Sequence, residues 1–172
     1  MSELTFIAPS YALLQSTMPC WKCSQATSVS TVWVPSFVNT GNVEDPEDEP
    51  EAGGASTLRY IQALDDQVIA HVREVAPRLK FGRSGTANAT YLANHCQACG
   101  VIQGDHFTFG INGPFFPSDR TEANALQVIA GCGPLTANAV AAQSGWMDWI
   151  AEREVMEAQY LNAILGRIRT RE

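Results

Sequence analysis

Apolar positions along this chain recur with two different periods. Leu58, Ile61, Leu64, Val68, Val72 and Val75 follow one another at intervals of three and four, which is the stripe of an amphipathic helix. Ser56 or Thr57 can cap its start and Pro77 should end it, so the pattern predicts a helix over 57–76. His71 lies beside that stripe and reads as a packed or surface residue. Residues 27–38, TSVSTVWVPSFV, are instead rich in β-branched and aromatic types and predict a strand. Further strands are expected over 89–94, 101–109 and 125–130. The stretch 135–142 also reads as a strand, although its alanines suit a helix equally well. A broken apolar face of Trp146, Ile150, Met156, Tyr160, Ile164 and Ile168 predicts a C-terminal helix over 145–169. Its acids come early and its arginines late, as the helix dipole favours.

Two Cys-x-x-Cys pairs interrupt this pattern, in MPCWKCSQATSV and in YLANHCQACGVIQGDHF. Cys20, Cys23, Cys96 and Cys99 supply the ligand set of a tetrahedral four-thiolate site, because two intervening residues let both sulfurs of a pair reach one ion from a tight turn. Gly100 fits such a turn through its freedom to adopt positive φ; Ser24 holds the corresponding place in the first pair. The pairs are 72 residues apart, against about 15–20 in compact ribbon sites. Loop closure costs grow only logarithmically with length, so an inserted loop and helix are tolerable.

Strands before and after each pair make two metal-binding hairpin tips. The expected fold is α+β: one domain over 1–172, a discontinuous zinc ribbon with a small antiparallel sheet, the inserted helix and the C-terminal helix. Four thiolates leave no open coordination position, so the expected Zn2+ is structural, with iron able to replace it in recombinant protein.

Other cysteine chemistries fit less well. A dithiol oxidoreductase places Cys-x-x-Cys at a helix N-terminus, whereas strand-like sequence follows both pairs here. A zinc deaminase needs His-x-Glu, and none of His71, His95 and His106 begins that triplet. His95 and His106 flank the second pair and could ligate or hydrogen-bond a thiolate; with four cysteines present they are expected outside the ligand set. Asp105 and His106, adjacent on a strand, would face opposite ways. Cys132, in GCGP, is expected to be an ordinary buried thiol.

The motif CWKC followed by Thr27 and Val29, then YLANHCQACGVIQGDHF and GPFFP, resembles a group of uncharacterised bacterial proteins with paired zinc-knuckle motifs. The resemblance extends loosely to 146–150 and covers little between the motifs. It implies a metal-binding role for Cys20, Cys23, Cys96 and Cys99 and carries no activity with it.

Composition narrows the function. The net charge of −7 is concentrated: residues 44–51, EDPEDEPE, hold six of the 18 acids, leaving 12 acids against 11 bases elsewhere. Residues 41–56 read as a flexible acidic loop on a nearly neutral body. Neither part has the basic excess that binding to nucleic-acid backbones requires. No apolar run of about 18 residues is present to span a membrane, and the N-terminus lacks the basic and apolar regions of a secretory signal, so a cytoplasmic protein is expected. The leading expectation is a non-enzymatic protein-binding module of adaptor, inhibitor or immunity type, whose partner offers a basic surface to the acidic loop. The alternatives are a nucleic-acid-associated zinc-ribbon protein and, behind it, a dithiol oxidoreductase.

Overall fold

The computed structural model describes residues 3–45 and 47–153. The N-terminal half is mostly β: β1 (Phe6–Ala8), β2 (Ala12–Pro19), β3 (Ala26–Val34), β4 (Phe37–Asn39), β5 (Glu51–Gly53) and β6 (Ser56–Leu64). Helix α1 (Asp66–Val75) follows, then β7 (Leu79–Ser84), β8 (Ala89–His95), β9 (Ile102–Gln103), α2 (Asp105–Thr108) and α3 (Arg120–Ala125). Strands β10 (Gln127–Ala130) and β11 (Leu135–Ala142) lead to a fourth helix, α4, described over 145–153. The remainder of the expected C-terminal helix, 154–169, lies outside the described residues.

The fold is α+β, but its sheet is large. Eight antiparallel strands run in the order β10-β2-β3-β6-β11-β1-β4-β5, and a separate three-stranded sheet runs β7-β8-β9. Adjacent residues of the large sheet serve opposite cores, as strand alternation requires. Leu13 and Val32 join Leu58, Val68, Val72, Leu79, Leu92 and Leu135 on one face, under α1 and the small sheet. Leu14 and Trp33 join Phe115, Leu126, Trp146 and Ile150 on the other. The Trp33 indole N–H donates to the Met147 carbonyl at 3.2 Å, tying α4 to the second core. Both cores need the large sheet between them, which a small sheet could not supply.

The inserted helix is half as long as its apolar stripe suggests. Residues 56–64 form β6, and only 66–75 are helical. An irregularity in β6 explains the difference. Asn138 pairs with Ala63 and Val140 with Arg59, so β6 has extra residues at this point, and Tyr60 takes a positive φ of 49°. The displaced residue lets Leu58, Ile61 and Leu64 all reach the same core, a spacing of three that imitates a helix. The cap is therefore Asp65, rather than Ser56 or Thr57. Its carboxylate accepts from the Val68 amide at 3.0 Å.

Other boundaries also move. The acidic loop is shorter than 41–56, because Glu51–Gly53 pairs with β4 and Ser56 begins β6. The strand expected over 101–109 stops at Gln103, where α2 takes over. Pro35 separates β3 from β4 within the single strand expected over 27–38. The stretch Leu135–Ala142 is a strand, and Gln127–Ala130 falls inside the one expected over 125–130.

Asp65 does more than cap. Its second carboxylate oxygen accepts from the Thr136 amide at 2.8 Å, so one side chain holds the start of α1 against β11. Asp65→Ala should lower unfolding free energy by about 1–3 kcal/mol, through loss of the cap and an unpaired amide on β11. A urea midpoint equal to that of the parent protein would show that neither bond matters to stability.

Candidate metal centre

Each cysteine pair sits in the turn of a β-hairpin, one in each sheet: Cys20 and Cys23 between β2 and β3, Cys96 and Cys99 between β8 and β9. The two turns are built alike. The Cys20 amide donates to Gln25 O and the Ser24 amide to Cys20 O, both at 2.9 Å; the Cys96 amide donates to Val101 O and the Gly100 amide to Cys96 O, also at 2.9 Å. The residue after each second cysteine is left-handed, Gly100 with φ 75° and Ser24 with φ 60°. Ser24 therefore adopts the glycine conformation despite its Cβ. The amides of Lys22 and Ala98 point at the first sulfur of their own turn, each at 3.4 Å.

The fold brings all four sulfurs together, within 4.8 Å of one another. Cys20 Sγ lies 3.7 Å from Cys99 Sγ, and Cys23 Sγ lies 3.7 Å from Cys96 Sγ. A regular tetrahedron with metal–sulfur bonds of about 2.3 Å has edges of about 3.8 Å, so these spacings suit one thiolate-bound ion. They are far longer than a disulfide bond of about 2.0 Å. Cys20, Cys23, Cys96 and Cys99 could thus hold a metal.

Two supporting residues escaped the sequence reading of the site. Gln103 is 1% exposed; its Oε1 accepts from the Trp21 amide at 3.3 Å, and its Nε2 donates to Cys20 Sγ at 3.2 Å. Across the centre, Thr27 Oγ1 accepts from the Gln97 amide at 3.1 Å. Thr27 stands seven residues after Cys20 and Gln103 seven after Cys96, so each hairpin's exit strand braces the other hairpin's turn. That equal spacing was the available signal. A second bridge lies below: the Asn94 side chain accepts from the Ser30 amide at 2.7 Å and donates to the Ser30 carbonyl at 2.9 Å, joining β8 to β3.

The histidines are placed elsewhere. His95 is buried with Nδ1 2.9 Å from the Ala93 carbonyl, to which it donates, and it fills the space over Gly82, where a Cβ would come within 2.6 Å of its Nε2. His71 Nδ1 is 2.8 Å from the Tyr11 hydroxyl. His106 and Asp105 lie on α2 rather than on a strand, and both line the same cavity. Cys132 is exposed, contrary to the expected buried thiol, because Gly131 and Gly133 carry it through a surface turn between β10 and β11.

That cavity, of about 680 Å³, opens beside the sulfur cluster. Trp21, from inside the first cysteine turn, forms one wall; its indole N–H donates to the Ile102 carbonyl at 2.8 Å. Its ring lies parallel to that of Phe107, with centroids 5.6 Å apart and planes 8° from parallel. Tyr60 and Tyr91 meet edge to face at 5.4 Å. Asp105 pairs with Arg59 at 3.1 Å, and burial pushes its carboxyl up despite that cation.

The thiols do not share one acidity. The Cys99 amide, helped by that of Ala98, outweighs desolvation and brings Cys96 down to about 6. Desolvation raises Cys20, but the Cys23 and Lys22 amides pull it down and prevail. The Gln25 amide draws Cys23 down, yet burial and the three surrounding sulfurs overcome it and push it up to about 12.

Uptake of a metal by all four cysteines near neutrality would therefore expel at least the Cys23 proton. Affinity should rise about tenfold or more per pH unit, read by competition with a chromophoric chelator. Affinity independent of pH would remove Cys23 from the ligand set. Gln103→Ala deletes the side-chain bond to Cys20 and the brace on the Trp21 amide. It should weaken metal binding by about 10–100-fold while the chain stays folded. Unaltered chelator competition in that variant would reduce Gln103 to a packing residue.

No family model, curated protein or solved structure matches the chain, so the likeness to the paired zinc-knuckle group rests on the motif residues alone.

Proposed function

We propose that the protein is a non-enzymatic binding module of the zinc-ribbon kind, in which a structural zinc ion staples two hairpins together to support an interaction surface. The observation that carries this reading is the sulfur geometry: four thiols within 4.8 Å of one another, two of the pairs at 3.7 Å, suit the corners of a tetrahedron. A filled tetrahedron keeps no position for water or substrate, which favours a structural ion over a catalytic one.

The surroundings support the same reading. Trp21, held in the first cysteine turn, is 49% exposed, and Phe107 beside it is 39% exposed. Large aromatic rings kept at the surface by a rigid turn are typical of binding surfaces. The acidic segment suits steering of a basic protein partner, with an effect on association rate that salt would screen. The cysteine turns run into β3 and β9, and α2 starts only at Asp105, so neither pair sits at the helix N-terminus that dithiol oxidoreductases use.

Elemental analysis of protein purified without chelator should find about one zinc per chain. Cys20→Ser and Cys96→Ser should each lose the metal and lower the melting temperature by roughly 10 °C or more. Metal-free protein with parental stability and four titratable thiols in these pairs would sink the structural-metal reading. Catalysed reduction of a disulfide substrate by the purified protein would move it to the oxidoreductases.

A further inference from the structure

The cavity beside the sulfur cluster is not needed to hold the metal, yet much of its wall is built by the metal-binding turns. Trp21 comes from the first turn, and Val101, Ile102 and Gly104 from the exit of the second. Its volume of about 680 Å³ lies within the range of about 300–1,000 Å³ usual for small-molecule sites. The aromatic side chains of Trp21, Tyr60, Tyr91 and Phe107 join Val101 and Ile102 in the lining, with a few polar groups among them. This is the composition of a ligand site.

The polar groups define the ligand's charge. Arg83 lines the cavity, and its guanidinium donates to the Asn88 side-chain carbonyl at 2.7 Å. Among the described residues no carboxylate pairs with it, so its charge is uncompensated. Asp105 is already neutralised by Arg59 through Oδ2. Its Oδ1 has no hydrogen-bond partner among the described residues and can accept an N–H from a ligand. His106 adds a ring nitrogen to the wall. One free cation and one compensated acid disfavour a cationic guest, even among so many aromatic faces. They suit a guest with a single anionic group and a hydrogen-bonding ring.

The aromatic groups define its shape. Trp21 and Phe107 stack with their planes parallel, and Tyr60 lines the same cavity. Tyr60 sits at φ 49°, a conformation costly for an aromatic residue, and remains 42% exposed. Among the described residues the non-glycine positive-φ positions are Ser24, Tyr60 and Asn88. One lies in a metal turn, one lines the cavity, and one holds Arg83. Tyr60 thus places a strained residue on the cavity wall.

We infer that this cavity binds a nucleoside monophosphate, its base added to the Trp21–Phe107 stack with a ring N–H to Asp105, and its phosphate on Arg83. Nucleobases stack on aromatic faces largely regardless of sequence, and a single guanidinium suits a single phosphate. A polynucleotide would require a row of cations, whereas among the described residues Arg83 is the one lysine or arginine on the cavity wall. The inference goes beyond the proposed binding role, since it assigns a small ligand to a site the metal helps to form.

The test is calorimetric titration of the full, zinc-loaded chain with adenosine and uridine 5′-monophosphates, with zinc content measured on the same sample. One saturable site is expected, with ribose 5-phosphate and free adenosine each about tenfold weaker or worse. Arg83→Ala should weaken nucleotide binding about tenfold without altering zinc content or melting temperature. Trp21→Ala should weaken it similarly, and Trp21→Phe should restore most of the loss. Absence of saturable heat up to about 10 mM nucleotide in zinc-loaded protein would overturn the assignment. So would equal binding of ribose phosphate, tighter binding of choline, or tighter, steeply salt-dependent binding of a single-stranded oligonucleotide. Zinc-free protein that nonetheless binds nucleotide through Arg83 would instead separate the pocket from the metal reading.

Discussion

The rest of the structure depends on one constraint: four sulfurs from two different sheets must converge to within 4.8 Å. Thiolates at that distance repel one another unless a cation or protons neutralise them; burial and the neighbouring sulfurs hold the proton on Cys23, while the Cys99 and Ala98 amides draw Cys96 down. The backbone is arranged to tolerate that charge. Amides of Lys22 and Ala98 face the first sulfur of each turn, and Gln103 adds a side-chain donor to Cys20. A cluster this dense in N–H groups is preorganised for anionic sulfur before any ion arrives.

Convergence also fixes how the two sheets meet. The small sheet cannot slide along the large one while Asn94 bridges to Ser30 and both cysteine turns brace each other through Thr27 and Gln103. The 72 residues between the pairs are therefore structural parts of the domain rather than an excursion from it. They contribute β6 to the centre of the large sheet and α1 to its first core. A loop closed by a metal ordinarily loses much entropy; here hydrophobic burial of Leu58, Val68 and Val72 offsets it independently.

The chemistry was more legible in the sequence than the architecture. Cysteine spacing is a local signal, and the turn geometry it demands recurs at both pairs, down to the left-handed residue at Ser24 that composition alone would disfavour. The apolar stripe of 58–75 suggests one long helix because a bulged strand and a helix can place apolar residues at the same interval of three. Leu58, Ile61 and Leu64 satisfy both descriptions, and only the pairing of β6 with β3 and β11 decides between them. The size of the sheet was equally hidden. Strands such as Phe6–Ala8 and Phe37–Asn39 are three residues long and acquire their identity from partners distant in sequence.

The same non-local pairing explains why the cavity was invisible in the sequence. Trp21, Tyr60, Tyr91 and Phe107 are spread over 87 positions, and no spacing rule connects them. Their convergence follows from the sulfur cluster, since Trp21 and Ile102 are carried to the site by the two cysteine turns and joined there by an indole hydrogen bond of 2.8 Å. A metal held by the four cysteines would tie the turn that carries Trp21 to the turn before Ile102, and so couple metal occupancy to the shape of the cavity. A ligand that binds only the assembled cavity must favour the metal-bound form by the same free energy with which the metal favours ligand binding.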